Sequence, residues 1–600
     1  MDQRVERIAA LRAVMKDNAV DVLLIPTCDP HVTEYVPPRW QGRHWVSGFS
    51  GSLGNLVITA DTAILFTEPL YWVQAAKQLD GSAIELYKET SGSVPGLLHW
   101  LETNLSKGST VSIPQVVTPL NLYRQLGSAI ESRKSTLLTD VDLLAQIWDQ
   151  RPAPPEGEVF PHMRPQATPD ISSKIDTVRE AMATHGATHY FISALEDIAW
   201  LTNLRGSDID CTPIFMAHCL VNPAGVDLFV NDTSMTAGAQ SQMETAGITV
   251  RNYDMAFQSL GELAGSARLL VDPSRVTAAV LSTLPQGVTL IENTNPTTLA
   301  KSKKTDAQIN HFRQAMTEDG IAMCEFYSWF ERALEQGDTV TELNVHERLT
   351  EERAKRPGFL SLSFPTIAGF NGNGAMPHYQ ATADSCSTIQ GDGFLLIDSG
   401  GQYAGGTTDI TRTWQIGSVS QQMKIDYTMV LKAHIALSST RFPRGTLSPM
   451  LDAIARKPMW ELGMDYGHGT GHGVGYCLCV HEGPQTFRQA IPTPQMAMEV
   501  GMVTSIEPAL YREGAWGVRT ENLVANVPAQ VEEGNRYGEF LEFEALSLCP
   551  IDTSCLLPER LTDEEKQWLN RYHAAVRERL LPHLSSSAGD WLERRTQAIT

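Results

Sequence analysis

Residues 394–414 read Phe-Leu-Leu-Ile-Asp-Ser-Gly-Gly-Gln-Tyr-Ala-Gly-Gly-Thr-Thr-Asp-Ile-Thr-Arg-Thr-Trp. An apolar run, a glycine-rich turn and a second strand-like run predict a β-hairpin. Facing residues of an antiparallel hairpin have numbers with a constant sum, and pairing Asp398 with Asp409 gives 807, which centres the turn between Tyr403 and Ala404. Facing residues project from one side of the sheet with Cβ atoms about 5 Å apart. Two carboxylates held that close need a shared proton or a cation.

A second stretch repeats this arrangement. Residues 503–523 read Val-Thr-Ser-Ile-Glu-Pro-Ala-Leu-Tyr-Arg-Glu-Gly-Ala-Trp-Gly-Val-Arg-Thr-Glu-Asn-Leu, and Glu507 and Glu521 pair around a central glycine with a sum of 1028. Between the two hairpins, glycines surround His468 and His472 and let the backbone pass close to whatever these histidines contact. The resulting hypothesis is a site in which four carboxylates and one histidine enclose two metal ions.

Each of these residues also has a structural explanation when it is considered alone. Asp398 alone suits a turn at a strand end, whereas Asp409 alone is an unpaired charge among strand threonines. Together with the two glutamates of the second hairpin they favour a metal site, because buried carboxylate clusters otherwise need protons. For His378, at the end of a turn-rich loop, and His481, before a turn, the residues alone leave a structural role open.

Composition limits the class of protein. The 600 residues exceed a single hydrophobic core, so several domains are expected. The net charge of -22 argues against a general nucleic-acid binder or a binder of anionic membranes. The charged start of the chain lacks the apolar run of an export signal, and no apolar stretch approaches the roughly 20 residues of a membrane span. With an odd number of cysteines, nine, these features predict a cytoplasmic protein with no nucleic-acid and no membrane partner.

Strand and helix patterns divide the chain into four regions, which are, in order, 1–155, 156–300, 301–550 and 551–600. The first two are predicted to be similar α/β domains, because the pattern Trp-x6-Ser recurs at Trp45–Ser52 and Trp200–Ser207. The proline-rich stretch 151–170 predicts an extended linker between them. At Lys301–Lys304 the composition turns basic and a long helix begins. The third region is predicted to be helices packed on a curved, largely antiparallel sheet, and the last a helical extension with a capping box at Thr562.

Other catalytic motifs are absent from the sequence. No Gly-Lys dipeptide occurs, which excludes a P-loop. Neither the Gly-x-Ser-x-Gly elbow of hydrolases nor the His-Glu-x-x-His motif of zinc proteases occurs.

Six long and specific stretches allow comparison with a known family: Leu362–Ile367, Asn373–Tyr379, Leu396–Thr413, His468–Pro484, Glu507–Pro508 and Val518–Asn522. Together they resemble the pita-bread metallopeptidases, and among these the long, three-domain cytosolic Xaa-Pro aminopeptidases, the aminopeptidase P family. Trp200–Asp208 and Leu561–Tyr572 also resemble that family, so the resemblance spans nearly the whole chain. It implies two creatinase-like N-terminal domains and a pita-bread catalytic domain.

The resemblance also implies roles for individual residues. The metal ligands it implies are Asp398, Asp409, His472, Glu507 and Glu521, with Asp409 and Glu521 bridging the two ions. It implies contacts with the substrate and the transition state for three histidines: His378, His468 and His481. Arg519 matches an arginine of the outer coordination shell. Four carboxylates and one imidazole suit Mn²⁺, with Co²⁺ or Zn²⁺ as alternatives.

The activity implied by the resemblance is hydrolysis of the bond between an N-terminal residue and a penultimate proline, by a homodimer that acts on such peptides. The nucleophile is a hydroxide that bridges the ions, since coordination lowers the pKa of water to near 7. His378 and His481 are expected to help stabilise the oxyanion, and Glu507 to shuttle the proton to the leaving nitrogen.

Two alternative functions are weighed against this one. A prolidase cuts Xaa-Pro dipeptides with a very similar site, but prolidases are generally shorter and lack the repeated second domain. A pita-bread scaffold that binds proteins such as histones without catalysis loses metal ligands, whereas all five positions are occupied here.

The chain departs from the family pattern at two positions. Leu70 precedes Tyr71 where many relatives have Arg, so a substrate contact by that Arg is not expected here. Thr520 replaces the usual branched aliphatic residue between Arg519 and Glu521.

Overall fold

The structure is a computed structural model that describes residues 2–90, 96–531 and 534–600. The chain forms two compact units, Met1–His162 with Pro169–Thr298, and Met163–Thr168 with Leu299–Thr600. Both predicted α/β domains fall in the first unit, and the boundaries between the four predicted regions stay a prediction. Among the described residues, no helix is both long enough and apolar enough to cross a lipid bilayer.

The first α/β sheet is built from short, buried strands with helices between them. Its elements are α1 (Gln3–Asp17), β1 (Val22–Pro26), α2 (Gly42–Ser47), β2 (Asn55–Thr59), β3 (Ala63–Thr67), α3 (Trp72–Gln78), β4 (Glu85–Lys88), α4 (Gly96–Asn104), β5 (Thr110–Ser112), α5 (Leu120–Glu131) and β6 (Thr136–Leu138). The strand order is β4-β3-β2-β1-β5-β6. Helix α1 begins at Asp2, whose side chain accepts from the Arg4 N–H, and it buries Ile8, Leu11 and Met15 on one face.

The second sheet repeats this connectivity. Its elements are β7 (Val159–Pro161), α6 (Ile171–Thr184), β8 (His189–Ile192), α7 (Leu195–Thr202), β9 (Leu204–Gly206), β10 (Ala217–Val221), β11 (Val226–Val230), α8 (Ala237–Thr245), β12 (Ile248–Asn252), α9 (Met255–Gly261), β13 (Arg268–Val271), α10 (Ala279–Thr283), β14 (Thr289–Glu292) and α11 (Pro296–Ser302). The strand order β12-β11-β10-β8-β13-β14 matches that of the first sheet position by position. In both sheets, the first strand in chain order is antiparallel to the second and parallel to the fifth. The predicted repeat is confirmed.

The proline-rich stretch is more structured than predicted. Part of it, β7, pairs antiparallel with β9 and so belongs to the second α/β domain. The remainder of 151–170 carries no further strand or helix, as expected for a chain rich in proline.

The second unit contains long helices and short strands. Its elements after α11 are α12 (Asp306–Gln336), α13 (Glu342–Ala354), β15 (Phe359–Leu362), β16 (Ile367–Phe370), β17 (Gly393–Ser399), β18 (Gly401–Tyr403), β19 (Gly406–Thr407), β20 (Ile410–Ile416), α14 (Gln421–Ser438), β21 (Phe442–Pro443), α15 (Asp452–Trp460), β22 (Gly471–His472), β23 (Thr486–Phe487), β24 (Val503–Ile506), β25 (Ala509–Arg512), β26 (Trp516–Arg519), β27 (Asn522–Pro528), β28 (Phe540–Ala545), α16 (Asp563–Leu580) and α17 (Ser586–Arg595). Every strand pair described in this unit is antiparallel, as predicted for the third region.

The C-terminal extension packs into the core of this unit. Helix α16 begins with the predicted capping box, in which Thr562 and Glu565 cap each other's backbone N–H. In α17, the ring of Trp591 lies 5.7 Å from Tyr327 and 5.8 Å from Trp414, measured between centroids, and the side chain is 1% exposed. Aromatic contacts at these distances stabilise a core beyond the area they bury. The extension therefore packs against α12 and against β20, a strand of the first acidic hairpin.

The second acidic hairpin has the predicted register. Residues that face each other in β24–β27 and in β25–β26 have numbers that sum to 1028, for example Val503 with Ala525 and Leu510 with Val518. Gly514 lies at the centre of the turn with φ of +68°, a conformation that favours glycine.

The first acidic hairpin is shifted from its predicted register. The facing numbers in β17–β20 and β18–β19 sum to 809, so Asp398 faces Thr411, and the predicted pairing with Asp409 is wrong by two residues. The last pair before the turn is Tyr403 with Gly406, so the centre of the turn lies one residue further along the chain than predicted. Because side chains alternate with a period of two, a shift by two leaves Asp409 on the same face as Thr411. Both carboxylates are therefore still directed to one side.

Candidate metal centre

The first hairpin contributes two buried carboxylates. Asp398 lies near the end of β17 and is 8% exposed, and Asp409 precedes β20 and is 4% exposed. A close backbone approach keeps the hairpin narrow here, because a Cβ on Gly400 would lie 1.9 Å from the Thr408 carbonyl oxygen. Only glycine fits at that position.

The second hairpin contributes its glutamates at a break in the ladder. The last pair of β24–β27 is Ile506 with Asn522, and the first pair of β25–β26 is Ala509 with Arg519. Pro508 lies in the gap and has no N–H to donate. The glutamate amides instead bond to neighbouring segments: Glu507 N–H donates to the Thr470 carbonyl at 2.7 Å, and Glu521 N–H donates to the Thr411 carbonyl at 3.1 Å. The break therefore joins the second hairpin to the first and to the histidine segment.

His472 lies on β22 and faces the acidic residues. Its Nε2 is 3.5 Å from Asp409 Oδ2 and 3.4 Å from Glu507 Oε1. One ligand atom each from Asp409, His472 and Glu521 lies within 4.8 Å of the other two. The imidazole Nδ1 lies 3.0 Å from the Gly473 carbonyl, which fixes the ring so that Nε2 faces the carboxylates. The predicted residues are thus brought together.

Burial, and after it the charges of neighbouring carboxylates, shifts the pKa values of the cluster. Burial raises the pKa of Asp398 from 3.8 to about 7, and the charges of Asp409 and Glu507 add to the rise against the opposing effect of Arg519. Burial, followed by the charges of Asp409, Glu507 and Asp398, raises the pKa of Glu521. Glu507 differs: burial raises its pKa, but the facing His472, His468 and Arg519 lower it overall. A carboxylate cluster with raised pKa values needs compensating positive charge.

Two carboxylate oxygens in the cluster are buried without a hydrogen-bond partner among the described residues. They are Oδ1 of Asp398 and Oε1 of Glu521. A buried carboxylate oxygen without a partner costs free energy, so such atoms in a native fold point to a missing cation or proton. Hard, oxygen-rich donor sets of this kind bind divalent cations. The residues present therefore fit a metal site.

Arg519 and Tyr511 stand behind the acidic cluster. Arg519 Nη2 lies 2.5 Å from Asp398 Oδ2, and its Nη1 donates to the Tyr511 hydroxyl. Arg519 Nε also donates to Thr411 Oγ1 at 3.1 Å, and the same hydroxyl donates to Glu521 Oε2 at 2.8 Å. Thr411, on β20 of the first hairpin, therefore bridges two groups of the second hairpin, the Arg519 guanidinium and the Glu521 carboxylate.

The three remaining predicted histidines lie beside the cluster. His481 packs edge-on against His472, with ring centroids 4.2 Å apart, and His468 Nε2 lies 2.9 Å from the Tyr511 hydroxyl. Burial, reinforced by His481, Arg519 and His468, lowers the pKa of His378 to about 3. Burial also lowers the pKa of His468. Histidines that stay neutral can donate one N–H to a developing negative charge.

Sequence reasoning missed Tyr511, Thr411 and Ser505. The Ser505 hydroxyl accepts from the His472 N–H at 2.9 Å and donates to Glu507 Oε1 at 3.2 Å. Tyr511 faces Gly517, so it lies diagonal to Arg519, and the correctly predicted register contained that signal. Thr411 could be found only with the correct register of the first hairpin, in which it faces Asp398.

The chain resembles known proteins over nearly its whole length. The chain is 35% identical to Aminopeptidase P2 of Arabidopsis thaliana over 636 residues, which cover 99% of this chain and 88% of that protein. The chain belongs to the aminopeptidase P family. It is also 36% identical to a Probable Xaa-Pro aminopeptidase P of Coprinopsis cinerea, over 99% of this chain and 98% of that protein. The predicted family is confirmed.

Family descriptions and a solved structure agree with this membership. Residues 310–526 match Metallopeptidase family M24, residues 539–599 match its C-terminal region, and residues 7–151 and 150–308 each match the Creatinase/Prolidase N-terminal domain. The aminopeptidase P chain superposes on X-prolyl aminopeptidase of Caenorhabditis elegans with a TM-score of 0.95 at 27% identity, covering 100% of both chains. That protein is described as a cytosolic enzyme with a di-nuclear active site. The predicted fold class is confirmed.

Proposed function

We propose that this protein is a metallo-exopeptidase that removes an N-terminal residue preceding proline, as an Xaa-Pro aminopeptidase. The observation that carries the proposal is the group of the buried Asp409 and Glu521 with the half-buried His472, with Asp398 and Glu507 beside it. The full-length similarity to proteins named Xaa-Pro aminopeptidase supports the substrate class.

Five residues are proposed to hold two divalent cations: Asp398, Asp409, His472, Glu507 and Glu521. Asp409 and Glu521 would be shared between the two ions, as the family resemblance implies, and the buried oxygens of Asp398 and Glu521 that lack a hydrogen-bond partner among the described residues would be available to a cation. Mn²⁺ is the proposed ion, because four carboxylates outnumber the single imidazole, with Co²⁺ or Zn²⁺ as alternatives. When bound, such cations polarise a carbonyl and activate water as a nucleophile.

The chain's own groups are proposed to position the peptide and move its protons. Glu507 is the proposed proton carrier, because its carboxylate lies in the site, 3.4 Å from His472 Nε2, and can accept a proton before passing it to the proline nitrogen. That nitrogen has no N–H in the substrate, so the site must recognise a ring shape rather than a donor. His378 and His481 donate to the carbonyl oxygen as charge develops on it, and His468 contacts the substrate. Arg519 lies 2.5 Å from Asp398 and opposes the rise in the pKa of that carboxyl.

The main alternative is a prolidase, which would cut Xaa-Pro dipeptides. The matched relatives named Xaa-Pro aminopeptidase P extend over 99% of this chain and include both N-terminal α/β domains. This coverage favours the aminopeptidase.

The test compares an Xaa-Pro-Pro tripeptide with an Xaa-Pro dipeptide, before chelation, after chelation and after return of Mn²⁺. Release of the first residue from the tripeptide, lost on chelation and restored by Mn²⁺, is the expected result. Glu521→Gln is the inactive control, and Asp590→Asn, on the exposed side of α17, is the matched surface control. Cleavage of the dipeptide alone would refute the aminopeptidase and favour the prolidase.

Location and assembly complete the proposal. A cytoplasmic location is supported by the description of the Caenorhabditis elegans protein as cytosolic. A homodimer that acts on peptides with penultimate proline is proposed from the family resemblance. Sedimentation velocity over a range of protein concentrations tests the dimer.

A further inference from the structure

The basic segment Lys301–Lys304 ends in a buried cluster that the proposed mechanism does not use. Glu482 Oε1 lies 2.5 Å from Lys304 Nζ, and its Oε2 lies 3.0 Å from Lys301 Nζ. The side chains of Glu482, Lys304 and Lys301 are 1%, 0% and 6% exposed. Burying three charged groups is costly unless they are paired, so the cluster is maintained by its mutual contacts. We call these three residues the lysine–glutamate cluster.

The cluster is joined to the metal centre through the backbone. Glu482 directly follows His481, and its N–H donates to the Gly473 carbonyl at 2.7 Å. The Gly473 N–H in turn donates to the Gln485 carbonyl at 3.1 Å, and Gly473 directly follows His472. Glu482 therefore connects the two segments that carry the neighbouring imidazoles.

The backbones of these two segments lie in close contact at Gly473. A Cβ on Gly473 would lie 2.0 Å from the Glu482 carbonyl oxygen. Lys304 is also fixed at its backbone, since its N–H donates to the Gly501 carbonyl at 3.0 Å, and a Cβ on Gly501 would lie 2.1 Å from the Lys304 carbonyl oxygen. A residue whose side chain and backbone are both fixed in close-packed surroundings restricts the position of its neighbour in the chain.

We propose that the lysine–glutamate cluster is a positioning device that sets His481 edge-on against His472 for catalysis. The carboxylate of Glu482, held by Lys304 and Lys301, fixes the backbone that follows His481. The ring of His481 then stays 4.2 Å from that of His472. This inference rests on the proposed function, because it assigns the purpose of the cluster to His481 acting on the substrate.

The proposal is tested with Glu482→Gln, which keeps the shape of the side chain and removes its charge. The expected result is a loss of about tenfold or more in kcat on an Xaa-Pro-Pro peptide with little change in KM, because small misplacements of a catalytic group cost that much. Lys303→Met is the matched control, since Lys303 lies in the same basic segment but is exposed. Its kcat is expected to match that of the unaltered chain.

A double-substitution cycle separates positioning from a general structural role. If Glu482 acts through His481, adding Glu482→Gln to His481→Ala changes kcat by no more than about twofold, because the two effects are not independent. An equal loss in both backgrounds overturns the proposal. Should Glu482→Gln fail to fold, Lys301→Met keeps the 2.5 Å contact with Lys304 and is measured in the same cycle.

A readout without turnover keeps the two proposals distinguishable. In the metal-free chain labelled with ¹³C-histidine, the ring signal of His481, assigned by its absence in His481→Ala, is expected to shift in Glu482→Gln and to stay unchanged in Lys303→Met. An unchanged His481 signal in Glu482→Gln overturns the positioning role. Absence of peptide cleavage by the unaltered chain, with the His481 signal shifting as expected, would instead count against the proposed function.

Discussion

The metal-free protein is expected to lose stability as the pH rises through the range in which Asp398 ionises. Burial raises the pKa of this carboxyl from 3.8 to about 7 in the fold, so the folded chain holds a proton there that the unfolded chain releases. Stability falls with rising pH wherever the folded state binds more protons than the unfolded state. The stabilisation from this proton is present below pH 3.8 and is lost by about pH 7. Asp398→Asn removes the titration.

The size of the effect follows from the two pKa values. Each pKa unit corresponds to about 1.4 kcal/mol, so a rise from 3.8 to about 7 corresponds to about 4 kcal/mol in total. Between pH 4.5 and pH 8, about 3 kcal/mol of this remains to be lost. Glu521 changes stability in the same direction because its pKa is also raised, whereas Glu507 opposes it because its pKa is lowered.

The measurement is urea unfolding of the metal-free chain at a series of pH values, followed through the transition of the second unit. The free energy of unfolding of Asp398→Asn minus that of the unaltered chain is expected to grow by about 3 kcal/mol from pH 4.5 to 8. This difference cancels the titration of groups far from the site. Asp590→Asn, exposed on α17, should give a difference that does not vary with pH. A pH-independent difference for Asp398→Asn would show that Asp398 is not held against its neighbours' charges.

Three further predictions concern other parts of the second unit. Binding of Mn²⁺ to the metal-free chain at pH 6 is expected to release about one proton or more, and fewer at pH 8, because Asp398 and Glu521 must ionise to bind it. Calorimetry in two buffers of different ionisation enthalpy measures the number of protons, and zero release at pH 6 would contradict the raised pKa values. Tyr511→Phe removes the hydroxyl that contacts His468 and Arg519 and should lower kcat by about tenfold or more. Tyr537 is exposed, so Tyr537→Phe should leave kcat unchanged, and equal kcat values for the two variants would exclude a role for the Tyr511 hydroxyl. Arg353→Met leaves the Asp319 carboxylate, which also accepts from the Tyr403 hydroxyl at 3.0 Å, without its buried partner at 2.8 Å and should cost about 3–5 kcal/mol of unfolding free energy. Lys457→Met, in which both the lysine and its partner Glu461 are exposed, should cost under about 1 kcal/mol, and a similar cost for both would be inconsistent with burial as the cause.

Sequence alone predicted the register of the second acidic hairpin because its two arms are symmetric, but it did not predict the break in the ladder at the glutamates. Gly514 marks the centre, and the alternating arms leave one register that places both glutamates on the same face. In the first hairpin, four glycines at 400, 401, 405 and 406 allow more than one turn centre. Placing Asp398 directly opposite Asp409 selected the wrong one, and the structure closes the ladder at Tyr403 and Gly406 instead. The error left both carboxylates on the same face of the sheet, because the shift in register was an even number of residues.

The groups around the carboxylates were harder to predict because their contacts join segments far apart in the chain. Thr411 contacts Glu521, 110 residues away, and Arg519 contacts Asp398, 121 residues away. Hydrophobic periodicity and local spacing report on neighbours in sequence and contain no information about such pairs. The lysine–glutamate cluster, which spans 178 residues between Lys304 and Glu482, was visible only as a basic segment with no assigned purpose.

The equal lengths of the two arms of the second hairpin restrict the insertions and deletions that homologues can carry here. Glu507 and Glu521 each stand seven residues from Gly514, one on either side. A single inserted or deleted residue in one arm would turn its glutamate to the opposite face, so length changes survive only at the loop tip or as matched changes in both arms. Homologues that keep the two acids should therefore keep arms of equal length on the two sides of the turn, even where the residues of those arms have been exchanged.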